Sequence, residues 1–557
     1  MISRPGIVAV GRLISGRGGM TVVRVTFAGA ARTVTGSCYL VDTPSGRIMV
    51  DCGLFQGSGD SDELNRAAFP FDPEGIDVLL LTHAHIDHSG MVPRLYKSGF
   101  KGPTLATHAT VDLCSIMLAD SGYIHESEAE WSNRKRRRAG RPPIEPLYTQ
   151  RDAEKCMSSF RGVDYGRSYE VLKGVEVRFV DAGHILGSAS IEMIVRKGRK
   201  KVRLGFSGDV GNTDQPIIRD PVPLGACEHV LIESTYGDRD HEDREDRAGR
   251  LAEIINETIG SGGNVVIPAF AVGRTQDVLY EVHRLQKEGR IPEFQIYIDS
   301  PLAISATEIF SRHPECFDRE MREISAEGDS PFDFPGVSYT RSTEESVALN
   351  RVSGSMIISA SGMANAGRIK HHLKHNLWRK ESTILFVGFQ AVGTLGRRLV
   401  DGARSVTLFG EEIAVDARVE ALPAFSAHAD RHGLIRWLGR VKDLQRAFVV
   451  HGEESQCIAF SKLVEQRLDV HADVPAPLGT VQLGPDGAAE WIERGEELAD
   501  ERIQSVAELL DAVEARAREA RKVLSGLTGR KADSARLREI EVALRGALRA
   551  LDDRSVV

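Results

Sequence analysis

His83, His85, Asp87 and His88 set three imidazoles and one carboxylate within six residues. Imidazole nitrogens and carboxylate oxygens are donors that zinc accepts at roughly 2.0–2.2 Å, and a catalytic zinc keeps one position open for water. His83 and His85 stand two residues apart, so an extended backbone points both to one side. Asp87 and His88 fall where the chain turns into a helix. Histidines scattered over a surface need no buried strand ahead of them. Here the apolar run 78–81 leads directly into the cluster, which reads as a metal-binding loop at a strand tip.

Similar short runs recur at 48–50, 175–180 and 202–206, each closed by polar or Gly-rich turns. Val175, Val177 and Phe179 alternate with Glu176 and Arg178, the period of a half-buried strand. From about residue 227 the rhythm changes to strand then helix. Strands at 229–232, 264–267 and 294–298 alternate with helices near 243–260, 273–287 and 302–312. Strands at 355–358 and 383–387 extend the series, the mark of a parallel α/β unit. The alternating pattern returns after about 412, at Ile413, Val415, Ala417 and Val419. The sequence thus divides into a first domain over 20–225 and 412–496 and an inserted domain over 226–411. Residues 1–19 read as a disordered extension. In 497–557, apolar residues spaced three and four apart predict two helices, a hairpin or a dimerising coiled coil.

The 557 residues exceed one compact core. Apolar residues at 41% and charged residues at 27% are ordinary for a soluble protein, and no run approaches a membrane span. Seven scattered cysteines without a CxxC pair fit a reduced, cytoplasmic setting better than a disulfide framework. The formal net charge of −8 argues mildly against nucleic acid, although the field that matters at a site is local. The one dense basic run, 133–141 (NRKRRRAGR), reads as a solvated loop or as a contact for a polyanion.

The HxHxDH pattern at 83–88 resembles the metallo-β-lactamase superfamily. The resemblance implies an α/β fold, an αββα sandwich with metals at its edge, and further ligands at later strand ends. Candidates stand in the expected order: Asp51 after 48–50, His184 in Asp-Ala-Gly-His, and Asp209 in Ser-Gly-Asp. By that resemblance His83, His85 and His184 bind one Zn2+, Asp87 and His88 bind a second, and Asp209 bridges both. Asp51 then orients the imidazoles from outside the coordination sphere. Two zincs about 3.5–4 Å apart can share a hydroxide and clamp the attacking and leaving oxygens of a phosphodiester.

Glu233 (in IESTYGD), His428 (in FSAHAD) and His451 (in VVHGE) resemble the three further motifs of the β-CASP branch. In that branch a second domain is inserted and caps the active site. The resemblance spans roughly 21–495. It implies that His451 completes the second zinc's coordination, and that His428, held by Glu233, protonates the leaving alkoxide. A general acid contributes about 10²–10⁴-fold, and a neighbouring carboxylate favours the charged imidazole. A histidine in the last motif resembles the RNA-processing members, so single-stranded RNA is the expected partner. The likeness is to bacterial and archaeal relatives of the mRNA 3′-end cleavage endonuclease. Cutting is expected internally, from the 5′ end, or both; a DNA nuclease or a small-ester or thiolester hydrolase is the alternative. Gly-rich turns opening helices present N–H groups to phosphates. Ser359, Ser361, Arg274 and Arg397 lie in such turns and are the expected substrate contacts.

Overall fold

The computed structural model describes residues 23–57, 61–241, 247–388, 390, 393–422 and 427–495. The expected extension at 1–19 and the helical tail at 497–557, with its dimerisation, lie outside the described residues.

Two sheets stack face to face. One has eight strands, in the order Ala489–Glu493, Thr480–Leu483, Val23–Gly29, Cys38–Thr43, Gly46–Val50, Val78–Leu80, Thr104–Thr107 and Phe160–Val163. The other has seven: His471–Asp473, Arg446–Val450, His229–Glu233, Lys200–Phe206, Ala189–Lys197, Val175–Asp181 and Ser168–Leu172. Alternation decides which side chains meet between them. Val25, Phe27, Ile48, Val50 and Leu80 from the first sheet pack on Phe179, Ile191, Leu204, Phe206 and Phe448 from the second. The outer faces carry helices. Leu434 and Trp437 of helix Arg431–Leu438 and Phe460 and Val464 of helix Glu454–Leu468 cover Val230, Ile232, Ala447 and Val449. This is the expected αββα sandwich.

The inserted domain is a six-stranded, all-parallel sheet in the order Val337–Tyr339, Gln295–Ile298, Ser355–Ser359, Val265–Pro268, Thr383–Phe386 and Arg418–Ala421. Helix Arg274–Lys287 buries Val278, Leu279, Val282 and Leu285, a three–four spacing that turns one apolar stripe onto the sheet. Helix Ile369–Asn376 does the same on the other face through Ile369 and Leu373.

Three expectations need correction. Strand His229–Glu233 hydrogen-bonds in parallel to Lys200–Phe206 and to Arg446–Val450, so the chain leaves the sandwich after Glu233 and not at 226. Strand Arg418–Ala421 pairs with Thr383–Phe386, and Glu411–Ala414 forms a hairpin with Ser405–Leu408. The alternating stretch at 413–419 therefore belongs to the inserted domain, and the return follows Ala421 rather than 411. A buried apolar strand has the same composition in either parallel sheet, and its hydrogen-bonding neighbour is not written in it. Finally, most of the basic run is not a loop: residues up to Arg138 close the 31-residue helix His108–Arg138.

Candidate metal centre

Strand order brings the site residues to one edge. Gly46–Val50 and Val78–Leu80 are parallel neighbours, and their ends release Asp51 and the 83–88 loop. In the second sheet three adjacent parallel strands place Glu233 at the end of one, His451 one residue past the second and Asp209 three residues past the third. His184 follows Val175–Asp181 in the same sheet. The 83–88 loop is braced from behind: Ser37 N–H donates to the Asp87 carbonyl and Cys52 N–H to that of His88, both at 2.8 Å. Only glycine fits between these contacts, since a Cβ on Gly53 would lie 1.6 Å from the Asp87 carbonyl oxygen. Asp51 and His451 turn out of their strands with φ of 58° and 50°, left-handed conformations that cost non-glycine residues free energy and recur at functional sites.

The donor atoms fall into two sets. His85 Nδ1 lies 3.1 Å from His83 Nε2 and 3.1 Å from His184 Nε2. Asp209 Oδ2 stands 3.4 Å from His83 Nε2 and 3.5 Å from His184 Nε2. On the other side His88 Nε2 is 3.1 Å from His451 Nε2 and 3.2 Å from Asp209 Oδ1, and His451 Nε2 is 3.7 Å from Asp87 Oδ2. Asp209 thus turns one oxygen to each set. A tetrahedron with bonds of 2.0–2.1 Å has edges of about 3.3 Å, which is the spacing of these donors. Facing nitrogens and carboxylate oxygens cannot all satisfy one another by hydrogen bonds. Asp209 Oδ1 is buried and accepts no well-aligned hydrogen bond. A cation resolves both conflicts, so the residues fit metal ions.

Charge follows the same division. Burial holds His83 and His184 well below the ordinary imidazole value and brings His85 down to about 4. These three stay neutral, the state a ligand needs. Burial resists charge on Asp209 too, but the imidazoles of His451, His88 and His83 overcome it and keep the carboxyl ionised. His88 is the exception. Burial works against its charge, yet Asp209 and Asp51 raise its pKa. Asp51 Oδ2 accepts from His88 Nδ1 and from Thr82 Oγ1, each at 2.8 Å, and Oδ1 accepts from Thr82 N–H at 2.8 Å. That grip fixes the His88 ring with Nε2 toward the centre.

His428 stands beside the first set, its ring centroid 4.5 Å from that of His184. Its segment docks antiparallel on the chain just past Asp209, with Ala429 N–H donating to the Val210 carbonyl at 2.8 Å. Both oxygens of the fully buried Glu233 lie 3.2 Å from His428 Nδ1. Glu233 is itself aimed by Val210 N–H at 2.7 Å. Burial opposes the charged imidazole, but Glu233, with Asp209 and Asp87 adding to it, outweighs burial and raises His428 to about 9. An acceptor-only carboxylate at Nδ1 places the ring's other N–H at Nε2.

Residues 31–112 match the metallo-beta-lactamase superfamily, 275–399 the Beta-Casp domain, and 412–475 the Zn-dependent metallo-hydrolase RNA specificity domain. The chain is 37% identical over 446 residues to Ribonuclease TTHA0252 of Thermus thermophilus, covering 80% of this chain and 96% of that one. The chain belongs to the metallo-β-lactamase/β-CASP ribonuclease family. Transcription termination factor FttA of Methanocaldococcus jannaschii is 31% identical over 472 residues, covering 83% of this chain and 72% of that protein. The RNase J-like protein of the same organism is 29% identical over 457 residues, covering 82% and 98%. The protein is a metal-dependent hydrolase of this family.

The β-CASP domain treats the expected substrate contacts unevenly. Ser359 is buried and its hydroxyl donates to the Asp299 carbonyl at 2.8 Å, so that hydroxyl is used within the fold. A serine at a strand end looks alike in both roles, and only the neighbouring strand decides. Ser361 Oγ turns back to the Ala366 carbonyl at 3.4 Å within its own loop. Arg274 is nearly buried and pairs with Asp277 at 3.2 Å. Arg397 pairs with Asp401 at 2.9 Å but is 40% exposed. Two contributors went unnamed in the sequence. Thr82 bridges Asp51 to the ligand loop, and the Thr235 hydroxyl lies 3.1 Å from His451 Nδ1. Thr82 directly precedes the first ligand and Thr235 follows Glu233 by two, which is their only signal.

Proposed function

We propose that this β-CASP protein is a zinc-dependent ribonuclease that hydrolyses phosphodiester bonds in single-stranded RNA, with His428 as the general acid. The observation that carries the reading is the pairing of two donor sets across Asp209 with a Glu233-bound imidazole at their side. A pair of divalent cations held there supplies Lewis-acid polarisation of a phosphoryl oxygen and lowers the pKa of water toward neutrality. The chain's own residues do the rest. His83, His85 and His184 form one set and Asp87, His88 and His451 the other, with Asp209 common to both. Asp51 keeps His88 oriented. His428 carries a proton on Nε2 and delivers it to the departing ribose oxygen, whose own pKa is too high for it to leave as an alkoxide. Glu233 keeps that proton available.

The β-CASP domain would then hold the strand. Arg397 can exchange its exposed partner for a phosphate, since a surface ion pair is worth little. Phe270, 46% exposed, offers a ring face on which a base can stack; it packs beside Gly362, in a loop whose Gly273 borders Ile185, the neighbour of His184. The names of the relatives, a ribonuclease, termination factors and an RNase J-like protein, support the substrate class. The test is digestion of 5′- and 3′-labelled RNA by zinc-reconstituted protein. Shortened products are expected, and their lengths separate internal from 5′-directed cutting. Intact RNA alongside rapid turnover of small esters overturns the reading.

A further inference from the structure

Helix His108–Arg138 begins at the metal centre and ends far from it. Its N-terminal Thr107 and Thr110 hydroxyls both donate to the Gly187 carbonyl, at 2.6 and 2.8 Å, three residues beyond His184. At 1.5 Å per residue, Tyr123 lies about 20 Å and Arg138 about 40 Å along the axis from Thr110. The first half is packed: Leu113, Cys114, Met117 and Leu118 are buried, and Gly122 abuts the Thr149–Gln150 backbone. The second half changes character. Tyr123 is 61% and Trp131 55% exposed. Residues 134–141 then carry six cations in a chain whose formal net charge is −8.

The two features share a face. At 3.6 residues per turn, Trp131, Arg134, Lys135 and Arg138 fall within an arc of about 100°, with Tyr123 and Arg137 beside it. The exposed Glu128 and Glu130 flank the arc, Glu128 about 20° beyond Lys135 and Glu130 about 40° beyond Arg134, between Tyr123 and Arg137. Lys135 Nζ sits 3.4 Å from the centroid of the Trp131 ring. Arg134, Arg137 and Arg138 form no ion pair among the described residues. A few cations in a last turn suit the helix dipole, but that effect ends within one turn and gives no reason for exposed aromatic rings two to four turns earlier. Aromatic faces interleaved with unpaired cations are what a single-stranded nucleic acid recognises, by base stacking and phosphate contact together.

We infer that the exposed stripe of this helix, from Tyr123 to Arg138, is a second binding site for single-stranded nucleic acid, engaging the part of the substrate that extends beyond the metal centre. The inference rests on the ribonuclease reading for the identity of the strand. The stripe's distance from the centre makes it a site for long strands only. A short oligonucleotide reaches the metals without touching it.

The experiment measures binding of a long, fluorescently labelled oligouridylate to the zinc-loaded full chain under conditions that arrest cleavage. The charge variant combines Arg134→Gln, Lys135→Gln, Arg137→Gln and Arg138→Gln. Glutamine is a good helix former and all four sites are exposed, so folding is retained and circular dichroism checks it. Single strands contribute about 0.7 to the salt slope per phosphate neutralised, so the slope should fall by up to about 3 and affinity at low salt by at least about tenfold. Trp131→Ala should weaken the same strand but not a base-free polyphosphate. Cleavage of an oligomer of about 6 nucleotides should be unchanged in both variants, because it is too short to span the gap. Equal affinity and salt slope in wild type and charge variant overturn the inference. A loss of oligomer mass in the variant with RNA binding intact assigns the stripe to a second copy of the chain and overturns it too. If no RNA of any length is cut yet the long strand binds in a stripe-dependent way, the ribonuclease reading fails and this one stands.

Discussion

Replacing Glu233 by glutamine keeps the side chain's shape and removes its charge. In the native protein both carboxylate oxygens stand 3.2 Å from His428 Nδ1, and Glu233 is wholly buried. Burial disfavours the imidazolium, and the charge of Glu233 is the largest influence that reverses this and lifts His428 to about 9. A glutamine amide supplies no charge and turns its NH2 toward Val210 N–H or Thr235 N–H, the two backbone donors that Glu233 accepts from. His428 should then fall to or below the ordinary imidazole value near 6.5. A general acid works in its protonated form, so its contribution is present below its pKa and lost above it. The alkaline limb of the kcat profile should therefore move to lower pH in the variant. Above both pKa values each unit of separation costs about tenfold in protonated acid, so a fall of about two units costs about 100-fold in rate. Bound cations depress wild type and variant alike, and the displacement between the two profiles survives. The assay is single-turnover cleavage of labelled RNA from pH 6 to 10, with metal content measured in parallel. An unmoved alkaline limb at full metal content refutes the role given to Glu233. Loss of metal refutes it differently, because the Asp209, Glu233 and His451 donors also lie within 4.8 Å of one another and would then form a ligand set.

His428→Ala should retain metal and lose about 10²–10⁴-fold in kcat; elemental analysis showing depleted metal would make His428 a ligand. Asp51→Asn keeps every ligand but weakens the grip on His88 Nδ1, so metal affinity should drop about 10–100-fold in a competition titration with a chelating dye. Asp209→Asn should weaken metal binding at both donor sets, because each has one of its oxygens in reach; unchanged metal affinity in the same titration would contradict its shared position. The chelated protein should be most stable near pH 6.5. Below that value the unfolded chain takes up protons that buried His83, His85 and His184 refuse, and stability falls toward pH 4. Above it the unfolded chain releases protons that His88 and His428 retain, and stability falls as pH rises toward about 9. Thermal melts of chelated protein that show no such maximum would refute the assignment of neutral and charged imidazoles.

The cluster of candidate donors was legible in the sequence because each stands within a few residues of a short apolar run, and a strand end is where a buried run can release polar side chains together. The 83–88 cluster, His184, Asp209 and His451 all obey that rule, and the sheets bring them within 4 Å of a neighbour. The strand–helix rhythm likewise announced the helices near 243–260, 273–287 and 302–312, while Ile369–Asn376, which covers the other face of the β-CASP sheet, was not among them. Tertiary structure alone decided three matters. Strand neighbours are chosen by packing between distant segments, so only the fold could place His229–Glu233 in the sandwich and Arg418–Ala421 outside it. Orientation is likewise decided by what lies across a boundary. Ser359 turns inward because Asp299 waits on the next strand, and Thr82 holds Asp51 because two parallel strands end side by side. Charge preference follows from burial and neighbours, which no local sequence carries: without metal, burial holds the His83 imidazole neutral, while Asp209 and Asp51 favour the charged form at His88.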